Sequence, residues 1–110
     1  MESQTVPNGA LRTIYRTPEF DYFYLALPGK VQTVYNVSTK FVKHLENTDL
    51  YELRVSVGTN EYRTILFAID HDNFIEAKKI ILLNGFLKKS SKDYKKQIEI
   101  AQTILNSLRK

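Results

Sequence analysis

The clearest pattern in the chain is the alternation through Leu50-Tyr-Glu-Leu-Arg-Val-Ser-Val57. Tyr51, Leu53, Val55 and Val57 point one way, and Glu52, Arg54 and Ser56 point the other. A period of two is that of a half-buried strand. Gly58-Thr59-Asn60 is turn chemistry, and the β-rich run 61–69 reads as the second arm of a hairpin. A polar loop over 70–77 follows. Residues 78–87 are apolar on both faces and so predict a third strand, placed centrally in its sheet. After Asp93 the period lengthens to that of a helix. Ile98, Ala101, Ile104, Leu105 and Leu108 share one face of a final helix over about 93–108, with Ser90, Ser91 or Asp93 as its cap.

The N-terminal half is less regular. Residues 1–10 read as a flexible polar lead, and 11–15 alternate as a first strand would. Thr17-Pro18-Glu19 starts a helix, with a Thr cap, Pro at the first position and an acid in the first turn. Its apolar stripe is Phe20, Phe23, Tyr24 and Leu27, and it must stop near Pro28-Gly29. Over 30–46, Val31, Val34, Tyr35, Phe41, Val42 and Leu45 fit a helical face. The segment's β-branched residues oppose helix, so a short helix is expected. No repeat, linker or low-complexity tract interrupts residues 11–110. The expected architecture is one α+β domain with a mostly antiparallel sheet, N-terminal helices and a C-terminal helix.

Composition narrows the class. At 43% hydrophobic and 25% charged, the 110 residues suit a globular domain. The longest aliphatic run is Ile80-Ile81-Leu82-Leu83, far short of a membrane span. Met1–Asn8 holds no secretory pattern, so a cytoplasmic location is expected. There is no cysteine, which removes disulfides, thiolate nucleophiles and Cys-type zinc sites. The net charge is +4, and residues 87–110 hold seven basic against two acidic residues, a local excess of +5. Such a patch fits a phosphate-bearing partner, nucleic acid before membrane. A solvated lysine-rich helix face is the alternative.

Most familiar chemistries fail. His44 and His71 are the only histidines, and Asp70-x-Asp72-Asn73 lacks the glycine and the twelfth-position Glu of a calcium loop, so no metal is expected. No Gly-x-Ser-x-Gly elbow occurs, and the four glycines are too far apart for a phosphate-cradling loop. What remains is arginine on strands. A hairpin closing on Gly58-Thr59 makes Val57 face Asn60, and the same register sets Arg54 directly across from Arg63. Like charges opposed on a sheet are mildly destabilising, and such a conflict often marks a functional site. The alternative is neutralisation by Glu52, Glu61 or the C-terminal acid.

Four segments taken together carry a resemblance. They are Leu50-Tyr-Glu-Leu-Arg-Val, Glu61-Tyr-Arg-Thr-Ile-Leu-Phe, Leu82-Leu-Asn-Gly-Phe-Leu-Lys-Lys-Ser and Ile98-Glu-Ile-Ala. In this order and spacing the chain resembles the RelE/ParE superfamily of bacterial toxins, and most closely its phage-derived, HigB-like branch. The resemblance implies a type II toxin, a ribosome-dependent endoribonuclease that cuts mRNA without a cofactor and is silenced by a helix-turn-helix antitoxin. It further implies that Arg63 holds the scissile phosphate and that Arg54 stands where RelE proper has a catalytic lysine. Lys88 and Lys89 match the family's basic pair after the last strand. Tyr94 lies near the place of a base-stacking aromatic, and Lys92, Lys95 and Lys96 extend the RNA-binding surface. Two departures stand out. Glu52 replaces a basic residue of RelE proper, and 30–37 is shorter than the family's second helix. The alternatives are a ParE-like toxin that binds gyrase and cuts nothing, and a degenerate toxin that only binds its antitoxin.

Overall fold

The structure, a computed structural model, describes residues 3–5, 11–37 and 42–109. In chain order the elements are β1 (Ser3–Thr5), β2 (Leu11–Arg16), α1 (Pro18–Leu25), α2 (Gly29–Val37), β3 (Val42–His44), β4 (Leu50–Val57), β5 (Asn60–Ala68), β6 (Lys79–Leu87) and α3 (Ser91–Leu108). The six strands form one sheet in the order β1-β2-β6-β5-β4-β3. Every neighbouring pair is antiparallel except β2 and β6. The fold is α+β and RelE-like, with a mostly antiparallel sheet.

Local chemistry explains most boundaries. Thr17 caps α1 by accepting a hydrogen bond from Phe20 N at 3.0 Å, Pro18 needs no partner in the first turn, and Pro28 stops continuation. The Thr17 hydroxyl also donates to Leu83 O, which ties the start of α1 to β6. Ser90 caps α3 in the same manner, accepting from Asp93 N at 3.2 Å. Leu50–Val57 and Asn60–Ala68 close on Gly58, whose φ of 62° is the left-handed turn conformation that glycine adopts without strain.

The short second helix is present, but the helical face extended too far in sequence. Val42, grouped with that face by spacing, belongs to β3 and pairs with Leu53. Phe41 lies outside the described residues. Val31 anchors α2 with its side chain buried, and Gln32 Nε2 donates to Tyr24 O and Leu27 O, capping the end of α1. The polar lead is also not featureless: Ser3–Thr5 pair with β2 along the outer edge of the sheet.

Each sheet face carries its own core. Helices α1 and α2 cover Ile14, Leu53, Val55, Tyr62, Leu66 and Ile80 on one face. Helix α3 covers Leu50, Ile65, Leu83 and Phe86 on the other, packing Ala101 and Leu105 against them. Strand periodicity decides the assignment: even positions of β4 and odd positions of β5 face α3. A bulge where β5 passes from Ile65 to Leu66 lets Leu83 and Asn84 both serve the α3 side. Leu83 is buried there, and Asn84 Nδ2 donates to Gln97 O at 3.2 Å.

Candidate functional site

The β4–β5 ladder pairs Val57 with Asn60 and Arg54 with Arg63. Both arginines therefore stand on the α3 side of the sheet, toward the end where β4 turns into β5. The same parity adds Glu52 from β4, and Arg63 lies opposite Phe86 of β6. Beyond Leu87 the ladder runs one residue further, with Lys88 N donating to Glu61 O at 2.8 Å. This continuation keeps Lys88 on the Phe86 side. No backward bend of the chain is needed to bring it to the site.

The two arginines do not share one environment. Arg54 is 43% exposed, whereas the Arg63 side chain is 4% exposed. Between them lies Glu52, whose side chain is fully buried. Arg54 Nε donates to Glu52 Oε1 at 2.7 Å, and Arg63 Nε lies 3.4 Å from the same oxygen. The other nitrogens of Arg63 are engaged as well. Nη2 pairs with Glu61 Oε2 at 3.3 Å, and Nη1 donates to Tyr62 O at 3.3 Å. The neutralisation weighed from the sequence is thus present, through both Glu52 and Glu61. It differs between partners, because Arg63 is spent inside the protein while Arg54 gives only its Nε edge.

Helix α3 closes the site through Tyr94. Its ring lies 6.1 Å from that of Phe86, and Lys88 Nζ sits 5.5 Å over its centroid. Burial first, and then the Glu52 carboxylate, push the Tyr94 phenol up to about 12, against an opposing pull from Arg54 and Arg63. At neutral pH this phenol is a proton donor. The hydrogen bond to Glu52 also raises the Arg54 pKa, which leaves its guanidinium fully charged.

The remaining basic residues distribute around this centre. Lys89 is exposed beside Lys88. Lys92 and Lys95 turn toward β3 and, with Lys43, Leu45, Glu46 and Ile98, line a groove of about 890 Å³ that Tyr94 also borders. Lys96 lies two residues past Tyr94, about 200° around the helix at 100° per residue, and faces solvent away from the sheet. The structure therefore gathers Arg54, Arg63, Tyr94 and Lys88, sets Lys92 and Lys95 beside them, and leaves Lys96 apart. Glu52 and Phe86 were not counted as site residues from sequence. The signal for Glu52 was the i, i+2 spacing to Arg54 on an alternating strand, which places both on one face.

His44 and His71 both line a separate cleft of about 690 Å³ with Asp49, Tyr51, Asp70 and Asp72. The Arg54 site thus has no histidine to act as a base. Among the described residues no group of three or more His, Asp or Glu side chains is arranged to hold a metal ion. No helix among them is long and apolar enough to cross a membrane.

Residues 22–106 match the family model described as Phage derived protein Gp49-like (DUF891). That span contains every residue of the site, and the chain belongs to this family, which is one of RelE-like toxins. Membership points to the toxin of a toxin–antitoxin pair, with an antitoxin as its partner. No match was found among curated proteins or among solved structures.

Proposed function

We propose that this chain is a HigB-like toxin of the cytoplasm that cleaves mRNA on the ribosome, without metal or other cofactor, and is silenced by a helix-turn-helix antitoxin. The observation that carries this reading is the convergence of exposed Arg54 and Lys88 with half-buried Tyr94 over a buried Glu52–Arg63 base. Attack of a 2′-hydroxyl on the adjacent phosphate needs charge stabilised on the phosphorane, the hydroxyl activated and the leaving oxygen protonated. A guanidinium fork serves the first need, and Lys88 adds a second cation beside it. Tyr94 offers a ring for stacking on a base, and its hydroxyl keeps its proton at neutral pH beside Glu52. Activation of the nucleophile has no evident side chain, so in-line placement of the RNA by the ribosome carries much of the rate. Lys89, Lys92 and Lys95 extend the cationic surface along the strand of RNA.

One observation favours a second reading, a toxin that binds without cutting. Glu52 and Glu61 cancel the charge of the arginine pair, and Arg63 is enclosed. A single assay separates the two. Translating ribosomes carrying a defined mRNA are mixed with the purified chain, and new RNA ends are mapped. Cleavage that falls about 10²-fold or more in Arg54→Ala, comparable to loss of one oxyanion donor, supports the nuclease. Intact mRNA under the wild-type protein selects the binding-only reading.

A further inference from the structure

A guanidinium has two edges that match an oxyanion, one made by Nε with a terminal nitrogen and one made by the two terminal nitrogens. In Arg54 the first edge is taken: Nε donates to Glu52 Oε1 at 2.7 Å. Nη1 and Nη2 of Arg54 hydrogen-bond to none of the described residues, and the side chain is 43% exposed. Glu52 itself is immobilised. Its side chain is fully buried, and Arg63 Nε approaches the same oxygen at 3.4 Å from the facing strand. Arg63 in turn is held by Glu61 Oε2 and Tyr62 O. A carboxylate enclosed to this degree needs paired partners, and two guanidinium groups share that task.

We propose that Glu52 is the positioning residue of the site: it grips the Nε edge of Arg54 so that the Nη1/Nη2 edge faces outward as the clamp for an RNA phosphodiester, while Arg63 acts as the buried strut that holds Glu52. This rests on the nuclease reading above and changes its division of labour. The phosphate clamp passes from Arg63, where the resemblance put it, to Arg54. The acid that interrupts the basic strand pattern then has a purpose. A free arginine would sample many rotamers and lose their entropy on binding phosphate, whereas one held by its Nε has already lost them. Arg63 Nε makes no hydrogen bond to the carboxylate, so Arg63 holds Glu52 as an ion pair at 3.4 Å, while the hydrogen bond from Arg54 Nε fixes its orientation.

The test compares full-length wild type, Glu52→Gln, Arg54→Ala and the double variant. The first readout is anisotropy with a short RNA made uncleavable by 2′-O-methylation, and the second is cleavage on programmed ribosomes as a function of pH. Glu52→Gln is expected to weaken RNA binding about tenfold, on the scale of one charge-assisted contact. Adding Glu52→Gln to Arg54→Ala is expected to change nothing further, and the pH–rate profile of Glu52→Gln keeps the wild-type shape. Losses that multiply in the double variant, or a missing acidic limb in the profile, make Glu52 itself a proton acceptor and overturn the proposal. Wild-type binding in Glu52→Gln overturns it too. If Glu52→Gln does not fold, Glu52→Asp keeps the charge but withdraws the oxygen by one methylene. Weakened RNA binding in that variant supports the proposal, and unchanged binding ends it. A wild-type protein that neither binds nor cuts RNA removes the nuclease reading, which is a separate and recognisable result.

Discussion

Arg54 and Arg63 face each other directly across the β4–β5 ladder, and one oxygen of Glu52 lies 2.7 Å from the first and 3.4 Å from the second. Two like charges in opposed positions on a sheet repel unless something intervenes. Here the intervening group is an enclosed carboxylate, and the asymmetry around it separates a structural arginine from an accessible one.

The two arginines should accordingly fail in different ways. Arg63→Ala strands Glu52 without its buried partner, a loss of about 3–5 kcal/mol. At roughly 4–8 °C per kcal/mol for a domain of this size, the melting temperature should fall by more than ten degrees. Arg54→Ala also takes a partner from Glu52, but the Arg54 side chain is 43% exposed and water can replace it, so this variant should melt above Arg63→Ala and lose cleavage as well. Calorimetry of both variants beside the ribosome assay checks this, and equal melting temperatures contradict it.

Stability should decline on the alkaline side because of Tyr94. Its phenol is pushed up to about 12 by burial and by Glu52, against an ordinary value of 10. The folded state therefore holds this proton more tightly than the unfolded chain does. That contribution is complete below pH 10 and is lost as pH rises from 10 through 12. Denaturant midpoints measured across this window should fall less steeply for Tyr94→Phe than for wild type. Parallel curves would show that Tyr94 does not carry the effect.

Gly85 sits on β6 beneath Phe23 of α1. A Cβ there would overlap the ring of Phe23. Gly85→Ala should destabilise the fold by about 1–3 kcal/mol, as overpacking does. Adding Phe23→Leu should recover part of that loss in denaturant unfolding. A Gly85→Ala variant as stable as the parent would contradict the contact.

Arg12 staples the loop between β5 and β6 from within. Nε donates to Ala77 O at 3.0 Å and Nη2 to Phe74 O at 2.7 Å, with the guanidinium 4.3 Å over the Phe74 ring. Arg12→Ala would leave buried carbonyls unpaired at about 1–3 kcal/mol each. Amide exchange over 70–77 should quicken while that of β5 is less affected. Unchanged exchange would mean the loop holds itself.

Antitoxin binding should depend on salt. The groove beside α3 is lined by Lys43, Lys92 and Lys95 against Glu46 and Glu99, with apolar Leu45 and Ile98 between, and this net positive lining suits an acidic amphipathic segment. Affinity should fall as ionic strength rises, and Lys92→Glu with Lys95→Glu should weaken it further. A salt-independent complex would point to another surface.

Local chemistry in the sequence determined the elements that depend on near neighbours. The Thr17-Pro18 and Ser90 caps, the alternation of Leu50–Val57 and the turn at Gly58 specify α1, α3 and the hairpin, because capping and periodicity act within a few residues. The opposition of Arg54 and Arg63 follows from that turn alone. Val42 was misplaced because its spacing fits a helical face equally well, and only the available partner, Leu53, makes it a strand. The depth of Arg63, the sharing of Glu52 and the approach of Tyr94 were decided by the docking of α3. These depend on packing between separate elements of the chain. Strand parity names the face of a side chain, but only tertiary contact sets what covers it and therefore whether its charge meets solvent or an internal partner.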